Sequence, residues 1–405
     1  MGDVLSKTQE LDAAFHMPTY ARKPVMFVRG NGMRLYDDSG KEYLDFVSGI
    51  GAVNLGHAHP AVAKAVTEQM NKLVQVSNLY YVEHRDELAE VLVGLLGGKR
   101  KVFFANSGAE ANEGAIKLAR KWGKSHRGDE RVGIVTAARS FHGRTLATLA
   151  ATGQPSKQEA FEPLPPGFTH VPLNDLRAMD AAVGEKTCAV MLEPIQGEGG
   201  VYPCMPGYLA EVQRLCRERD VLLILDEVQT GFFRTGAAFA HQREEYRADP
   251  DIVTCAKAMA NGLPIGAVVA KAEVAEAFVP GDHGSTFAGG PVLCAAALAT
   301  IGALIGEDLG GNAERAGEYL KTQLNAMAAD TQQIDEIRGS GLMLAAQFGE
   351  PRAQEVAAAA LDKGLVLNAI GPHILRFLPP LVCGKAEVDA LLDALHAILT
   401  EAATC

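Results

Sequence analysis

The sequence predicts an α/β fold: a large domain with a mostly parallel sheet flanked by helices, plus a smaller α+β domain. Two observations carry that expectation. Between residues 100 and 270, short unbroken apolar runs alternate with helical patterns, and after Pro291 the pattern changes to longer helices with short strands between them. Unbroken apolar strands separated by helices belong to sheets covered on both faces.

The apolar runs are Val102–Ala105, Val132–Val135, Cys188–Leu192, Val221–Leu225 and Gly266–Ala270. Ala111, Ala115, Leu118 and Trp122 recur on one helical face after the first run, and Tyr208, Leu209, Val212, Leu215 and Cys216 do so before the fourth. Beyond Pro291 the sequence predicts a helix, a second near Ala316–Met327, strands at Met343–Phe348 and Ile374–Phe377, and a closing helix. That last helix keeps Val388, Leu391, Leu392, Leu395, Ile398 and Leu399 in register. Residues 1–50 are read as an N-terminal segment contributing to the small domain, 51–290 as the large domain and 291–405 as the C-terminal small domain.

Composition narrows the function classes. A chain of 405 residues, 48% apolar and 21% charged, buries a sizeable core, and a net charge of −11 argues against a nucleic-acid binder. The longest small-apolar tract, Leu293–Gly306, is too short to span a bilayer. Seven scattered cysteines without CxxC spacing suggest neither a disulfide framework nor a zinc site. Met1–Glu10 lacks the apolar core of a secretory signal, so a cytoplasmic protein is expected. Met1–Ser6 formally matches a myristoylation pattern, which is set aside because no second anchor follows.

Chemistry should collect in the loops that follow the strands. Asp226 ends the fourth run, and Lys257 stands in the small-residue stretch Thr254–Ala258. A carboxylate at the mouth of a buried strand, followed by a lone lysine, suits a pyridoxal phosphate enzyme: the acid holds the pyridine nitrogen and the lysine forms a Schiff base. The rival reading of Asp226-Glu227 is a Mg²⁺ or catalytic-acid pair, but no GxxxxGK[ST] loop accompanies it.

Four further segments are ambiguous singly. Ser107-Gly108-Ala109 opens a helix and suits a phosphate cradle or an ordinary N-cap. Phe141 and Arg144 suit ring stacking and carboxylate binding, or a surface turn. Glu193 is a loop ligand or a partner for a functional cation, and Ser285-Thr286 sits in a Gly-rich loop able to complete a phosphate site. His57 and His59 lack a third ligand at metal spacing and read as a structural turn, so no metal site is expected.

Taken in order, these segments, with Tyr20-Ala21-Arg22, Gly56–Pro60 and Leu375–Pro380, resemble the class III (ornithine-type) aminotransferases of fold type I among pyridoxal phosphate enzymes. The resemblance implies pyridoxal 5′-phosphate on Lys257, with Asp226 at the pyridine nitrogen, Gln229 at the ring hydroxyl and Val228 and Phe141 on the ring faces. Ser107, Gly108 and Ala109 would cradle the phosphate, and Thr286 would reach it from the neighbouring subunit of a homodimer with active sites at the interface. Arg144 would receive the α-carboxylate of the first substrate, with Ser285 lining the same pocket. Arg376 would bind glutamate or 2-oxoglutarate, with Glu193 covering it otherwise.

Within the class the chain is most similar to the acetylornithine aminotransferases, by Met17–Tyr20 and the Phe141–Thr145 motif. That similarity implies transamination of N2-acetyl-L-ornithine with 2-oxoglutarate, as in arginine biosynthesis. Succinylornithine, succinyldiaminopimelate, ornithine or 4-aminobutyrate are the alternative donors. Ile50 stands where ornithine δ-aminotransferases carry a tyrosine, which counts against free ornithine.

Overall fold

The computed structural model describes residues 2–401, so Cys405 and Met1 lie outside the described residues. Its centre is a seven-stranded sheet. From edge to edge the strands are Arg100–Ala105, Gly266–Lys271, Ile252–Cys255, Leu222–Asp226, Thr187–Leu192, Gly133–Ala137 and Phe168–Val171. All neighbouring pairs are parallel except those of Gly266–Lys271, which runs antiparallel to both of its neighbours.

All five predicted runs are strands of this sheet, and two further strands join them. Phe168–Val171 is an edge strand with only Val171 buried, so no apolar run marks it. Ile252–Cys255 is a four-residue strand directly before the Lys257 segment. Leu222–Asp226 lies at the middle, paired to Thr187–Leu192 and Ile252–Cys255, and is buried along its whole length. Burial of Leu223, Ile224 and Leu225 contributes about 2 kcal/mol each.

The helix Gly108–Arg127 buries Ala111, Ala115, Leu118 and Trp122, and Tyr208–Glu218 buries Tyr208, Leu209, Val212, Leu215 and Cys216. These are the faces expected from the spacing. Ser107 caps the first helix by accepting from the Glu110 N–H.

Beyond the sheet, Pro291–Gly306 and Leu309–Thr331 are followed by an antiparallel sheet in the order Ile334–Ser340, Met343–Phe348, Ile374–Phe377, Asn368–Ile370. The closing helix Lys385–Glu401 buries Val388, Leu391, Leu395, Ile398 and Leu399. Near the N-terminus, Phe27–Asn31, Arg34–Asp37 and Glu42–Asp45 form an antiparallel meander, and Leu365–Val366 adds to it parallel to Glu42–Asp45. The two ends of the chain therefore share one sheet.

Candidate active site

The carboxyl ends of the central strands open into a cavity of about 250 Å³. It is lined by Gly108, Ala109, Phe141, Arg144, Glu193, Asp226, Val228, Gln229 and Lys257, all singled out from the sequence, together with Asn112, His142, Gly143 and Glu198.

Asp226 ends its strand and Glu227 follows it, and the two side chains meet different partners. Asp226 Oδ2 accepts from Asn112 Nδ2 at 2.7 Å and lies 2.8 Å from His142 Nδ1, while Oδ1 accepts from the Val228 N–H at 3.0 Å. Thr254 Oγ1 in turn donates to Asn112 Oδ1 at 2.7 Å. Glu227 is bound by the Ala240 and His241 N–H groups and the His241 ring, which makes it the anchor of a neighbouring turn. The two acids do not share a site.

Burial pushes the His142 imidazole down, but the hydrogen bond and charge of Asp226, with Glu193 beyond, outweigh it and raise the imidazole above its usual range. Its Nε2 is buried with no hydrogen-bond partner. The imidazole, the Asn112 amide and the Val228 N–H together hold the Asp226 carboxylate in place at the cavity.

Lys257 follows the strand Ile252–Cys255 in a left-handed backbone conformation, φ 42°, which is uncommon for a residue with a side chain. Its amine has no hydrogen-bond or ion partner among the described residues. Burial holds it below the usual lysine range, with Arg376 adding to the effect and Glu198, Asp226 and Glu193 opposing it. A lysine poised toward the neutral amine is a nucleophile and a proton carrier.

At the other wall, the first amides of the helix Gly108–Arg127 face the cavity. A Cβ at Gly108 would come within 2.7 Å of Val228 Cγ1, so glycine is required where helix and loop meet. Open helix amides for a phosphate, a carboxylate held by a buried imidazole for a ring nitrogen, and an unpartnered amine together fit pyridoxal phosphate. Among the described residues no His, Cys, Asp and Glu group suits a metal ion. His57 and His59 meet separate carboxylates, Asp45 and Glu307.

Arg144 is exposed, its guanidinium carbon 5.6 Å from the Phe141 ring centroid. Its loop is held from the cradle helix: Glu113 Oε1 accepts from Thr145 Oγ1 at 2.5 Å and from the Ala147 and Thr148 N–H groups. Gly143 has φ 142°, and a Cβ there would meet Thr148 Oγ1 at 2.5 Å.

Arg376 is 1% exposed and does not line the cavity, but its Nη1 lies 2.6 Å from Glu198 Oε1, which does. This corrects the expectation for Glu193. The Glu193 carboxylate is taken by the N–H groups of Phe141 at 2.9 Å and Gly197 at 3.2 Å, and the next acid along the loop covers the arginine. Gln229 Nε2 donates to the same Glu198 oxygen at 3.1 Å.

The two acids differ electrostatically as well. Burial, opposed by His142 and reinforced by Asp226, raises Glu193 to about 7. Burial also acts on Glu198, but Arg376, Lys257 and the hydrogen bonds from Arg376 and Gln229 overcome it and hold the group at about 2.

Ser107, Ser285 and Thr286 do not line the cavity. Ser107 is spent on the helix cap. Ser285 Oγ accepts from Asn106 Nδ2 at 2.9 Å, its carbonyl accepts from Asn78, and the Thr286 carbonyl accepts from Gln75. Ile50 is 37% exposed with φ 65°. Sequence reasoning missed Asn112, His142 and Glu198. Asn112 and His142 left a trace as polar residues beside predicted site positions, at i+4 from Gly108 and next to Phe141.

The family model for Aminotransferase class-III matches residues 17–399. The acetylornithine aminotransferase of Methanothermobacter thermautotrophicus is 49% identical over 393 residues, which cover 97% of this chain and 98% of that protein. A crystal structure of ornithine aminotransferase from Toxoplasma gondii, described as having partial occupancy of PLP at its active site, is similar with TM-score 0.92 at 31% identity. The match covers 97% of this chain and 94% of that one. N-acetylornithine aminotransferase from Stenotrophomonas maltophilia is similar with TM-score 0.84 at 35% identity, over 98% of this chain and 100% of that one.

Proposed function

This chain belongs to the class-III aminotransferases, and we propose that it transfers the distal amino group of N2-acetyl-L-ornithine to 2-oxoglutarate with pyridoxal 5′-phosphate as cofactor. The observation that carries the reading is the Arg376–Glu198 pair at a cavity also lined by Lys257 and the exposed Arg144. One site must accept an amine far from its carboxylate in one half-reaction and an amine next to its carboxylate in the other. A buried arginine masked by a carboxylate, and an open one at the rim, answer that need.

Pyridoxal phosphate, when bound, supplies an electron sink for the carbon next to the transferred nitrogen. The Gly108 and Ala109 amides would hold its phosphate, Asp226 its ring nitrogen, and Phe141 and Val228 its faces. Gln229, whose Nε2 donates to Glu198, would meet the ring hydroxyl and so link the mask to the cofactor. Lys257 Nζ, kept toward the neutral amine by burial, would take the proton from the donor carbon that bears the distal amine and, in the second half-reaction, deliver a proton to the carbon of the oxo acid that receives the amine. Arg144 receives the α-carboxylate of N-acetylornithine and so keeps its distal amine over the site. With 2-oxoglutarate, Glu198 releases Arg376, which then binds the carboxylate next to the oxo group.

The active unit in this reading is a homodimer. Leu79, Tyr80 and Tyr81 are 85%, 65% and 97% exposed, and Phe287, beside Thr286, is 67% exposed. Gln75 and Asn78 bond to the backbone at Thr286, Ser285 and Ala288, so this apolar patch and the Thr286 loop form one surface. A second copy covering it brings that hydroxyl-bearing loop toward its own site. The six described cysteines stand as free thiols, as a reducing cytoplasm allows.

The test is a single-turnover spectrum of the holoenzyme with N-acetylornithine, succinylornithine, ornithine and 4-aminobutyrate in turn. The fastest loss of cofactor absorbance should come with N-acetylornithine. A faster reaction with another amine would reassign the donor.

A further inference from the structure

We infer that Asn368 is a positioning residue for Arg376 and sets the site's selectivity for the 2-oxo dicarboxylic acid. The inference rests on the reading above that Arg376 receives that acid. Asn368 lies on the strand Asn368–Ile370 directly across from Arg376 in the antiparallel register, so the two side chains share a face. Arg376 Nε and Nη2 both donate to Asn368 Oδ1, at 3.0 and 2.7 Å. A guanidinium carries only donors, so the amide oxygen is the end that must face it.

A guanidinium offers two forks, an edge made by Nε and Nη2 and an end made by Nη1 and Nη2. Asn368 fills the edge fork with one neutral oxygen. Nη1 points instead to Glu198 Oε1 at 2.6 Å, with the Gly197 carbonyl at 3.3 Å and Gln229 Oε1 at 3.4 Å behind it. Only the end fork is therefore left for an incoming carboxylate, which must take the place of Glu198.

The neutrality of Asn368 matters as much as its geometry. It meets two buried N–H groups without cancelling the arginine's charge, and Glu198 is the single carboxylate paired with Arg376 among the described residues. When Glu198 moves away, the buried cation is left short of a counter-charge, which a substrate carboxylate supplies. An aspartate at 368 would supply it permanently and compete with the substrate.

The experiment compares the parent holoenzyme with Asn368→Asp and with Asn368→Leu, which keeps the size but removes the acceptor. Binding of glutarate, a dicarboxylate that cannot react, is measured by calorimetry, and each half-reaction is followed by single-turnover absorbance. For Asn368→Asp, glutarate affinity and half-saturation by 2-oxoglutarate should worsen by about tenfold or more, and the N-acetylornithine half-reaction should stay within about threefold. Asn368→Leu should weaken glutarate by about threefold or more, because the freed guanidinium loses its orientation.

Unchanged glutarate affinity in Asn368→Asp, or equal loss in both half-reactions, overturns the inference. Should that variant fail to fold, the Leu variant decides on the same measure. If the parent protein does not react with N-acetylornithine, the donor assignment fails, and the role of Asn368 is still judged on glutarate and 2-oxoglutarate alone.

Discussion

His142 Nδ1 lies 2.8 Å from Asp226 Oδ2, with both side chains buried. The contact fixes the direction of the carboxylate at the end of the central strand. Asn112 and the Val228 N–H restrain the same group, so the acid cannot turn away from the cavity.

Replacing His142 with phenylalanine keeps a ring in place but removes the hydrogen bond to Asp226. A hydrogen bond to a charged group contributes about 1.5–3 kcal/mol. Cofactor affinity, measured by equilibrium titration of absorbance, should fall about tenfold or more. An unchanged affinity would show that Asn112 and Val228 suffice.

Lys257→Ala should leave the fold intact, since the Lys257 amine has no partner to lose among the described residues. The variant should hold the cofactor without a covalent bond and lose transamination by about 10³-fold or more. Absorbance, mass spectrometry of the intact protein, and turnover check the three parts. Full turnover would remove the lysine from the chemistry.

Glu198→Gln should shift selectivity between amines. With the mask uncharged, Arg376 draws in α-carboxylates: glutamate should react more readily, while N-acetylornithine, bound the wrong way round, slows by about tenfold. Because Arg376 and Lys257 hold Glu198 at about 2, the mask is charged throughout the neutral range. The ratio of the two half-reaction rates is the measure, and a ratio equal to the parent's would place the switch elsewhere.

Glu193 gives a pH dependence of stability. Its folded value, about 7, lies above the ordinary glutamate value near ~4.3, so the folded state binds the proton more tightly than the unfolded state. The contribution is fully present below about 4.3 and is lost as pH rises through about 7. Glu193→Gln mimics the protonated acid and lacks this loss. In urea unfolding at pH 5, 6, 7 and 8, the variant should therefore gain on the parent as pH rises. A constant difference would mean that Glu193 is ionised in both states.

Much of the fold was legible because its signals are local. Each apolar run announced a strand buried on both faces, and the spacing of Ala111, Ala115, Leu118 and Trp122 announced a helix face, since 3.6-residue periodicity is written along the chain. Phe168–Val171 escaped because an edge strand needs no apolar run. Most of the site was legible for a related reason: loops after parallel strands converge, so Gly108, Phe141, Asp226 and Lys257 had to meet once the sheet was recognised.

By itself, the sequence determined the sheet, the cavity's position and the meeting of Asp226 and Lys257 there. Only the tertiary structure decided which acid meets which cation. Glu193 and Glu198 occupy one loop, and nothing in their spacing shows that backbone amides capture the first and Arg376 the second. The same holds for Asn368 and Arg376, joined by the register of two strands, and for His142 and Asp226, joined across 84 positions. Contacts of this kind depend on the direction of side chains across separate elements, and that direction is set by packing rather than by any periodicity along the chain.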